Sequence, residues 1–418
     1  MWENIQVKRL AEGFMPDSSD RIIFLLTGAR QTGKTTLLQK KYDGLPYFNL
    51  DAIEYREQLK AISSFSWGET VGDAVIDEIQ KESGLIDKIK YAWDGGQIRF
   101  TAMSGSAQVM LMRQTRETLA GRVFIIELFP LLLSELLAGG KGNFTTHPLS
   151  LIASGEDTDI IIGKMKPVLL GSEWENRINS EEYLLKWGGM PSLLHLEEKK
   201  RSDWLKDYTH TYLERDLGDL ARINDLMPFK RFQKLAALRT AGLISYSDLA
   251  RDAGLGIETA RRYLEYLRLS YQAFLLQPYH KNLTSSLVKT PKLYWTDNGL
   301  LRQLSGLGFD ISSGELYENY VASEIMKCLR TSRSDASLSF YRTRSGMEVD
   351  FCMEIKGKLL AIESKNRTTV AVSDFTSLKR LRDASGRNWL GGIVLYRGNK
   401  IMRIEDTIWA MPSCRFFG

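Results

Sequence analysis

Gly28-Ala29-Arg30-Gln31-Thr32-Gly33-Lys34-Thr35 sets two glycines with four residues between them and follows the second with a lysine and a hydroxyl side chain. Glycines let a backbone curl so that successive N–H groups point inward, which is how a loop cradles phosphate oxygens. A lysine at that point brings charge to the outer phosphates of a nucleoside triphosphate, and the next hydroxyl can hold Mg²⁺. The spacing predicts that residues 28–35 and Thr36 bind ATP, with Lys34 on the β/γ-phosphates and Thr35 on the metal. A second pair, Asp77-Glu78, follows Lys34 by 43 residues and closes the apolar run Ala74-Val75-Ile76. Asp77 is expected to support Mg²⁺ and Glu78 to polarise a water for attack on the γ-phosphate. A third set lies far downstream in Glu348-Val349-Asp350 and Glu363-Ser364-Lys365.

Each set needs an element to hold it. Residues 22–28, IIFLLTG, form a continuous apolar run of strand length, and TLLQKKY after the glycine loop reads as a helix. That is the strand–loop–helix setting in which the helix N-terminus adds a positive dipole end to the anion site. The apolar strand ahead of Asp77 delivers its carboxylates to the C-terminal edge of an open α/β sheet, where such sheets bind ligands. A further strand, Arg99–Met103, runs into Ser104-Gly105-Ser106-Ala107, so Ser104 or Ser106 is a candidate contact to the γ-phosphate or its attacking water. Arg122, just before the strand Val123–Leu128, is a candidate phosphate sensor, acting within its own chain or on a neighbouring subunit.

The downstream set alternates polar and apolar residues, as strands do. Lys356-Gly357 is a two-residue turn, so Ile355 pairs with Lys358. Asp350 then faces Glu363, Glu348 faces Lys365, and all four share one face of the hairpin. Facing carboxylates repel, and a divalent cation removes the conflict. Asp350 and Glu363 are therefore candidate metal ligands. Lys365 would position the attacking water or stabilise the negative charge that develops. Arg342 and Arg344 are candidate phosphate contacts, and Asp297 reads as a cap on a turn or helix.

Between these regions lie polar, turn-rich stretches within 141–180 and helical periodicity over 181–226. Residues 229–267 then read as helix, glycine turn, helix, with Ser247 capping the first short helix and Gly254 ending it. Residues 228–268 hold eight basic side chains against four acidic ones, a concentrated share of the chain's net +5. Thr259, Arg261 and Arg262 are the candidates for phosphate or base-edge contact.

GARQTGKTT, VIDEIQ, SGSA, LAGR and ELFPLLLSEL, in this order, resemble a prokaryotic family of AAA-type ATPases. WGGMPSLL (187–194), YLERDL (212–217), PKLYWTDNGL (291–300) and EVDF…AIESK (348–365) match the same family, so the resemblance covers most of the chain. Ala29 stands where many members have proline, a position that supplies only backbone. The resemblance implies a helical lid over the nucleotide. It also assigns the C-terminal part to a domain of unknown function with nuclease-like features. The hairpin is similar to PD-(D/E)xK nucleases of the Holliday-junction-resolvase type, with Val349 in place of proline. By that resemblance Asp350, Glu363 and Lys365 fill the core positions. The helix over 315–327 would supply a further glutamate, Glu318 or Glu324, of which Glu318 fits better.

The expected architecture is α/β: a P-loop AAA-type core (1–140), a helical lid (141–226), a winged helix-turn-helix (227–282) and a restriction-endonuclease-like α/β domain (283–418). Three scattered cysteines and four scattered histidines make no disulfide framework or Cys/His metal site. The N-terminus has no apolar signal core, and the greasiest run, near residue 130, is interrupted by Glu127, Pro130 and Glu135. A cytoplasmic, non-membrane protein is expected. Two functions follow from these readings. One is a Mg²⁺-dependent ATPase that acts on DNA, branched DNA among the candidates, with a C-terminal nuclease site and self-association into a homo-oligomer. The other is a nucleotide-controlled switch or scaffold whose C-terminal domain binds a partner without cutting.

Overall fold

The computed structural model describes residues 7–106, 118–138, 146–221, 226–279 and 290–418, the side chains of Ser106 and of residues 211–221 excepted. The first layer is a five-stranded parallel sheet built from β1 (Ile22–Gly28), β2 (Tyr47–Asn49), β3 (Ala74–Asp77), β4 (Phe100–Ser106) and β5 (Val123–Glu127). Its spatial order is β2-β3-β4-β1-β5. Continuous apolar runs such as IIFLL suit a sheet covered on both faces. Four helices accompany it: α1 (Lys34–Lys41), α2 (Ile53–Ala61), α3 (Trp67–Thr70) and α4 (Leu85–Asp94). On α4, Leu85, Ile86, Ile89 and Ala92 recur at helical spacing and are buried against the core beneath the sheet.

A helical layer follows: α5 (Leu133–Ala138), α6 (Pro148–Ala153), α7 (Thr158–Gly163), α8 (Gly171–Trp187) and α9 (Glu198–Ala221). A short 3₁₀ turn, Pro191–His195, links the last two. Next come α10 (Met227–Ala237), α11 (Tyr246–Ala253) and α12 (Ile257–Leu269), closed by the antiparallel pair β6 (Ala273–Leu276) and β7 (Lys292–Trp295). Gly254 ends α11 in the left-handed conformation, as its position predicts. The N-cap of α11 is Ser245, not Ser247. The Ser245 hydroxyl accepts from Asp248 N at 3.2 Å, while Ser247 lies one residue inside the helix. Because β7 pairs with β6, the hairpin also crosses the expected domain boundary at 282/283.

The C-terminal unit contains α13 (Asn298–Ser305), α14 (Gly314–Thr331), β8 (Ser337–Arg342), β9 (Glu348–Ile355), β10 (Lys358–Lys365), α15 (Thr376–Ser385), β11 (Trp389–Tyr396), β12 (Met402–Glu405), β13 (Ile408–Pro412) and α16 (Ser413–Phe416). Its six strands lie in the order β12-β13-β11-β10-β9-β8. The β9–β10 turn places Lys356 and Gly357 at φ +50° and +82°, the geometry of a tight two-residue hairpin. Pairing follows the expected register from Lys358↔Ile355 to Ile362↔Phe351. Asp297 caps α13, accepting from Leu300 N at 3.0 Å. Among the described residues no helix is long and apolar enough to cross a membrane. One continuous core joins the helices after β5, the inner face of α14 and the C-terminal sheet.

Candidate nucleotide site and C-terminal acidic cluster

In a parallel sheet every strand ends at the same edge, so the C-termini of β1, β3 and β4 bring Gly28, Asp77 and Ser104 together. Gly28 cannot carry a side chain there, since a Cβ would lie 2.1 Å from the Leu128 carbonyl oxygen. Gly33, at φ +93°, turns the loop into α1. Lys34 is buried inside the loop, its Nζ donating to the carbonyls of Gly28 (3.1 Å) and Ala29 (2.8 Å). Thr35 Oγ1 donates to Asp77 Oδ2 at 2.7 Å. Asp77 is 0 % exposed and also accepts from Ser104 Oγ, Tyr47 OH (2.6 Å) and Glu78 N (3.1 Å). Burial and the hydrogen bond to Asp77 hold the Tyr47 hydroxyl well above its ordinary pKa.

Glu78 adopts a left-handed backbone conformation, φ +59°, uncommon for a side chain with a Cβ. Its carboxylate accepts from Gln80 and lines a cavity of about 630 Å³ together with Arg30, Gln31, Gly33, Lys34, Thr35 and Thr36. Strain of this kind, at a carboxylate beside a phosphate-type loop, fits a functional position. The helical layer reaches the same loop: Tyr208 OH donates to Arg30 O at 3.1 Å, and Ser192 Oγ to Gln31 Oε1 at 3.3 Å. Ala29 and Thr32 contribute backbone, Thr32 Oγ1 tying back to Ala29 O at 2.9 Å. Hard oxygen donors at Thr35 and Asp77, beside a buried ammonium and a helix N-terminus, fit Mg²⁺ with a triphosphate.

Arg122 is not in this site. It precedes β5, whose Val123 lies beside Ile23 at the start of β1. That is the opposite edge of the sheet, roughly 20 Å away at about 3.3 Å per residue. There Arg122 pairs with Asp94 at 2.7 Å. The expected phosphate contact within its own chain is therefore corrected by strand direction. Ser106 ends β4, and its side chain lies outside the described residues, as do those of Arg215 and Asp216 in YLERDL.

Sequence reasoning missed Arg9. It is buried behind the loop, with Nη1 donating to Thr32 O and Nη2 to Phe129 O, both at 2.6 Å, and Nε on Glu135 Oε1 at 3.2 Å. No motif surrounds Arg9. Its three side-chain partners lie 23, 120 and 126 residues away, so only the folded chain shows its place. Tyr47, the first residue of the short strand β2, was equally hidden.

The second cluster gathers residues around β9, β10, β7 and α14. Lys365 Nζ donates to Glu363 Oε2 at 2.8 Å. Asp350 Oδ2 accepts from Ser364 N (2.8 Å) and Ser364 Oγ (2.9 Å), because the ladder stops at Ile362↔Phe351 and does not extend to Asp350 and Glu363. Glu348 is not engaged by Lys365 as the register predicts. It pairs with Lys292 (2.5 Å) and Arg342 (2.8 Å). Arg342 is thus committed, while Arg344 is exposed in the following turn. Of the two helical glutamates, Glu318 joins the cluster, accepting from Lys292 (2.8 Å) and Tyr294 (2.6 Å). Glu324 instead binds Leu133 N at 2.9 Å and Lys327 at 2.6 Å.

Burial, and then the charge of Asp350, push the Glu318 carboxyl up to about 7. The same two causes hold Glu363 well above the carboxylate range, against the pull of Lys365. Burial works against the charged form of Lys292, but Glu318, Asp350 and Glu348 outweigh it and raise its pKa. Lys292 and Tyr294, in PKLYW, were not singled out from sequence. Their alternation on a strand was the available signal. Among the described residues no three Asp, Glu, His or Cys side chains are grouped to hold a metal ion. The expected ligand set Glu318, Asp350 and Glu363 is brought into one neighbourhood but not assembled as a metal shell.

Residues 20–137 match an AAA domain model. Residues 179–310 and 313–416 match two domains of unknown function, DUF8612 and DUF4143. Uncharacterized proteins of Mycobacterium bovis and Mycobacterium tuberculosis are each 26% identical over 406 residues, covering 94% of this chain and 80% of theirs. Among solved structures, a Walker-type ATPase of Pyrococcus abyssi overlaps 68% of this chain and 90% of its own, at 14% identity and a TM-score of 0.37. AMPPCP-bound DnaA from Aquifex aeolicus overlaps 60% and 84%, at 14% identity and 0.22. Overlaps this partial do not bear on function. The domain match and the loop geometry together establish an AAA-type, P-loop ATPase fold for the first third of the chain.

Proposed function

We propose that this protein is a Mg²⁺-dependent ATPase that binds DNA and uses nucleotide state to control its conformation. The carrying observation is that Lys34, Thr35 and Glu78 line one cavity at the sheet edge, with Asp77 buried behind them and bonded to Thr35. Bound Mg²⁺ would neutralise the β/γ-phosphate charge. Thr35 and Asp77 are the residues that would hold it. Lys34, whose Nζ donates here to the Gly28 and Ala29 carbonyls, would turn to phosphate oxygens. Glu78 would orient the attacking water, released from Gln80 as the phosphate arrives. Lid contacts through Ser192 and Tyr208 would report the change to the helical layer.

DNA binding is read from α10–α12 with the β6–β7 pair, taken as a winged helix. Arg261 and Arg262 are exposed on α12, with Thr259 half-buried beside them. Arg261 rests over the Tyr246 ring at 4.9 Å and lies 3.7 Å from Glu258, so its charge is partly offset, and Arg262 is the stronger phosphate contact. Self-association belongs to the same reading, with Arg122 presented to a neighbouring copy.

For the C-terminal domain, binding without cutting is the reading that Lys292 and Lys365 favour, because both already neutralise the acids a metal would need. The test of the whole is ATP turnover with and without branched, single-stranded and duplex DNA. Stimulation by one of these supports the proposal. Turnover that ignores DNA, with no salt-sensitive DNA affinity, refutes its DNA half. Turnover that survives intact in Lys34→Ala refutes the nucleotide half.

A further inference from the structure

Buried carboxylates brought together need a cation, and this protein supplies one from its own chain. Lys292 sits on β7, whose backbone is fixed by pairing with β6 and by a bridge to Leu243. Its Nζ lies over the Phe340 ring, 5.6 Å from the centroid. The ammonium lies 2.8 Å from Glu318 Oε1 and 2.5 Å from Glu348 Oε1, with the side chain 3% exposed.

Other proton donors also occupy these acids. Tyr294 donates to the same Glu318 oxygen, Ser364 donates twice to Asp350 Oδ2, and Lys365 donates to Glu363 Oε2. Each of the three acids a metal would need therefore has an oxygen committed to a proton donor. A divalent ion entering between them would meet a buried positive charge at close range, where attraction and repulsion are both weakly screened.

We infer that Lys292 is a tethered cation standing in the place of a divalent metal, so that the C-terminal cluster is a closed, metal-independent site. It holds β7 and the three-helix unit to α14 and β9 through charge. This inference rests on the reading of the C-terminal domain as a module that binds without cutting.

The test is Mn²⁺ binding to the full chain, followed by electron paramagnetic resonance without nucleotide, in an Asp77→Asn background that removes the other metal site. The background protein is expected to bind no Mn²⁺ at this cluster up to ~1 mM. Adding Lys292→Met is expected to create one site at least about tenfold tighter, which Asp350→Asn then abolishes. Mn²⁺ bound by the background protein, lost with Asp350→Asn and indifferent to Lys292→Met, overturns the inference. So does a folded Lys292→Met protein that gains no site.

Should Lys292→Met fail to fold, the background protein decides. A melting temperature raised by Mn²⁺, with the rise removed by Asp350→Asn, overturns the inference, and one unmoved by Mn²⁺ upholds it. The two readings fail separately. Mg²⁺-dependent DNA cutting by the wild type, lost in Asp350→Ala, overturns the non-cutting reading itself. Mn²⁺ held at Asp350 with no cutting overturns only the role of Lys292.

Discussion

Glu181 should make this protein less stable as pH rises from 5 to 8. It lies on α8 at 0% exposure, and neither carboxylate oxygen accepts a hydrogen bond. The nearest hydroxyl, on Ser413, accepts from Tyr317 at 2.7 Å and points its own proton at Tyr396 O, 3.5 Å away. Burial therefore dominates and pushes the Glu181 carboxyl up to about 7 from an ordinary 4.5, with Ser413 and Arg397 opposing only in part. A folded-state pKa above the unfolded one means the folded protein binds the proton more tightly. The stabilisation is complete below about 4.5, declines as pH rises toward 7 and is gone above it. At 1.36 kcal/mol per unit, the difference amounts to about 3 kcal/mol between pH 4 and pH 8. Glu181→Gln keeps the shape and removes the ionisation. Thermal and urea melts of both proteins across pH 5–8 should show the variant gaining on the wild type as pH rises, by ~3 kcal/mol at most. Parallel stability curves for the two proteins would refute the reasoning.

Lys34→Ala should lower ATP turnover by about 10²–10³-fold, since it removes the buried ammonium aimed into the loop, and the melting temperature without nucleotide should fall little. A steady-state phosphate-release assay with a parallel melt separates the two effects. Gly28→Ala drives a Cβ to 2.1 Å from Leu128 O, so β1 and the segment after β5 must part. A loss of about 2–4 kcal/mol in urea melts is expected together with loss of nucleotide binding. Arg261→Ala/Arg262→Ala should weaken DNA affinity about tenfold at low salt and reduce the slope of log affinity against log salt by about 2. An unchanged slope would mean that α12 touches no phosphate.

The nucleotide site was legible because its residues are local: one loop, one strand end, and the strand direction that joins them. The apolar runs mark β3, β4 and β1 as buried strands, and their parallel order in the sheet brings Ser104 to Asp77. Arg122 was misplaced because its spacing was weighed without the end of the strand on which it lies. It precedes its strand, so parallel pairing sends it to the far edge. The β9–β10 hairpin was readable down to its turn residues and register. Its last step was not, since Ser364 bonds Asp350 and ends the ladder before the acids face each other. Lys292 could not be assigned from spacing. It lies 58 residues before Asp350 on a strand paired with a different unit, and only tertiary packing sets its ammonium among the acids.

A chain of buried hydrogen bonds runs from the phosphate-type loop to the helix that carries Glu318. Arg9 holds the phosphate-type loop by Thr32 O, and Glu135 holds Arg9 while also accepting from Leu10 N (2.7 Å) and Leu132 N (2.9 Å). One residue further on, Leu133 N donates to Glu324, and Lys327 donates to Leu131 O at 3.1 Å. Glu324 and Lys327 lie on α14, the helix that carries Glu318 into the C-terminal cluster. The segment 131–133 is thus gripped from both sides by buried charged groups that water cannot replace without cost. Leu131 N also donates to Gly189 O, and Gly189 N to Asp297, so WGGMP and WTDNG close the same knot. A shift of the loop large enough to re-aim Lys34 toward a phosphate must therefore strain this network or be taken up by Arg9.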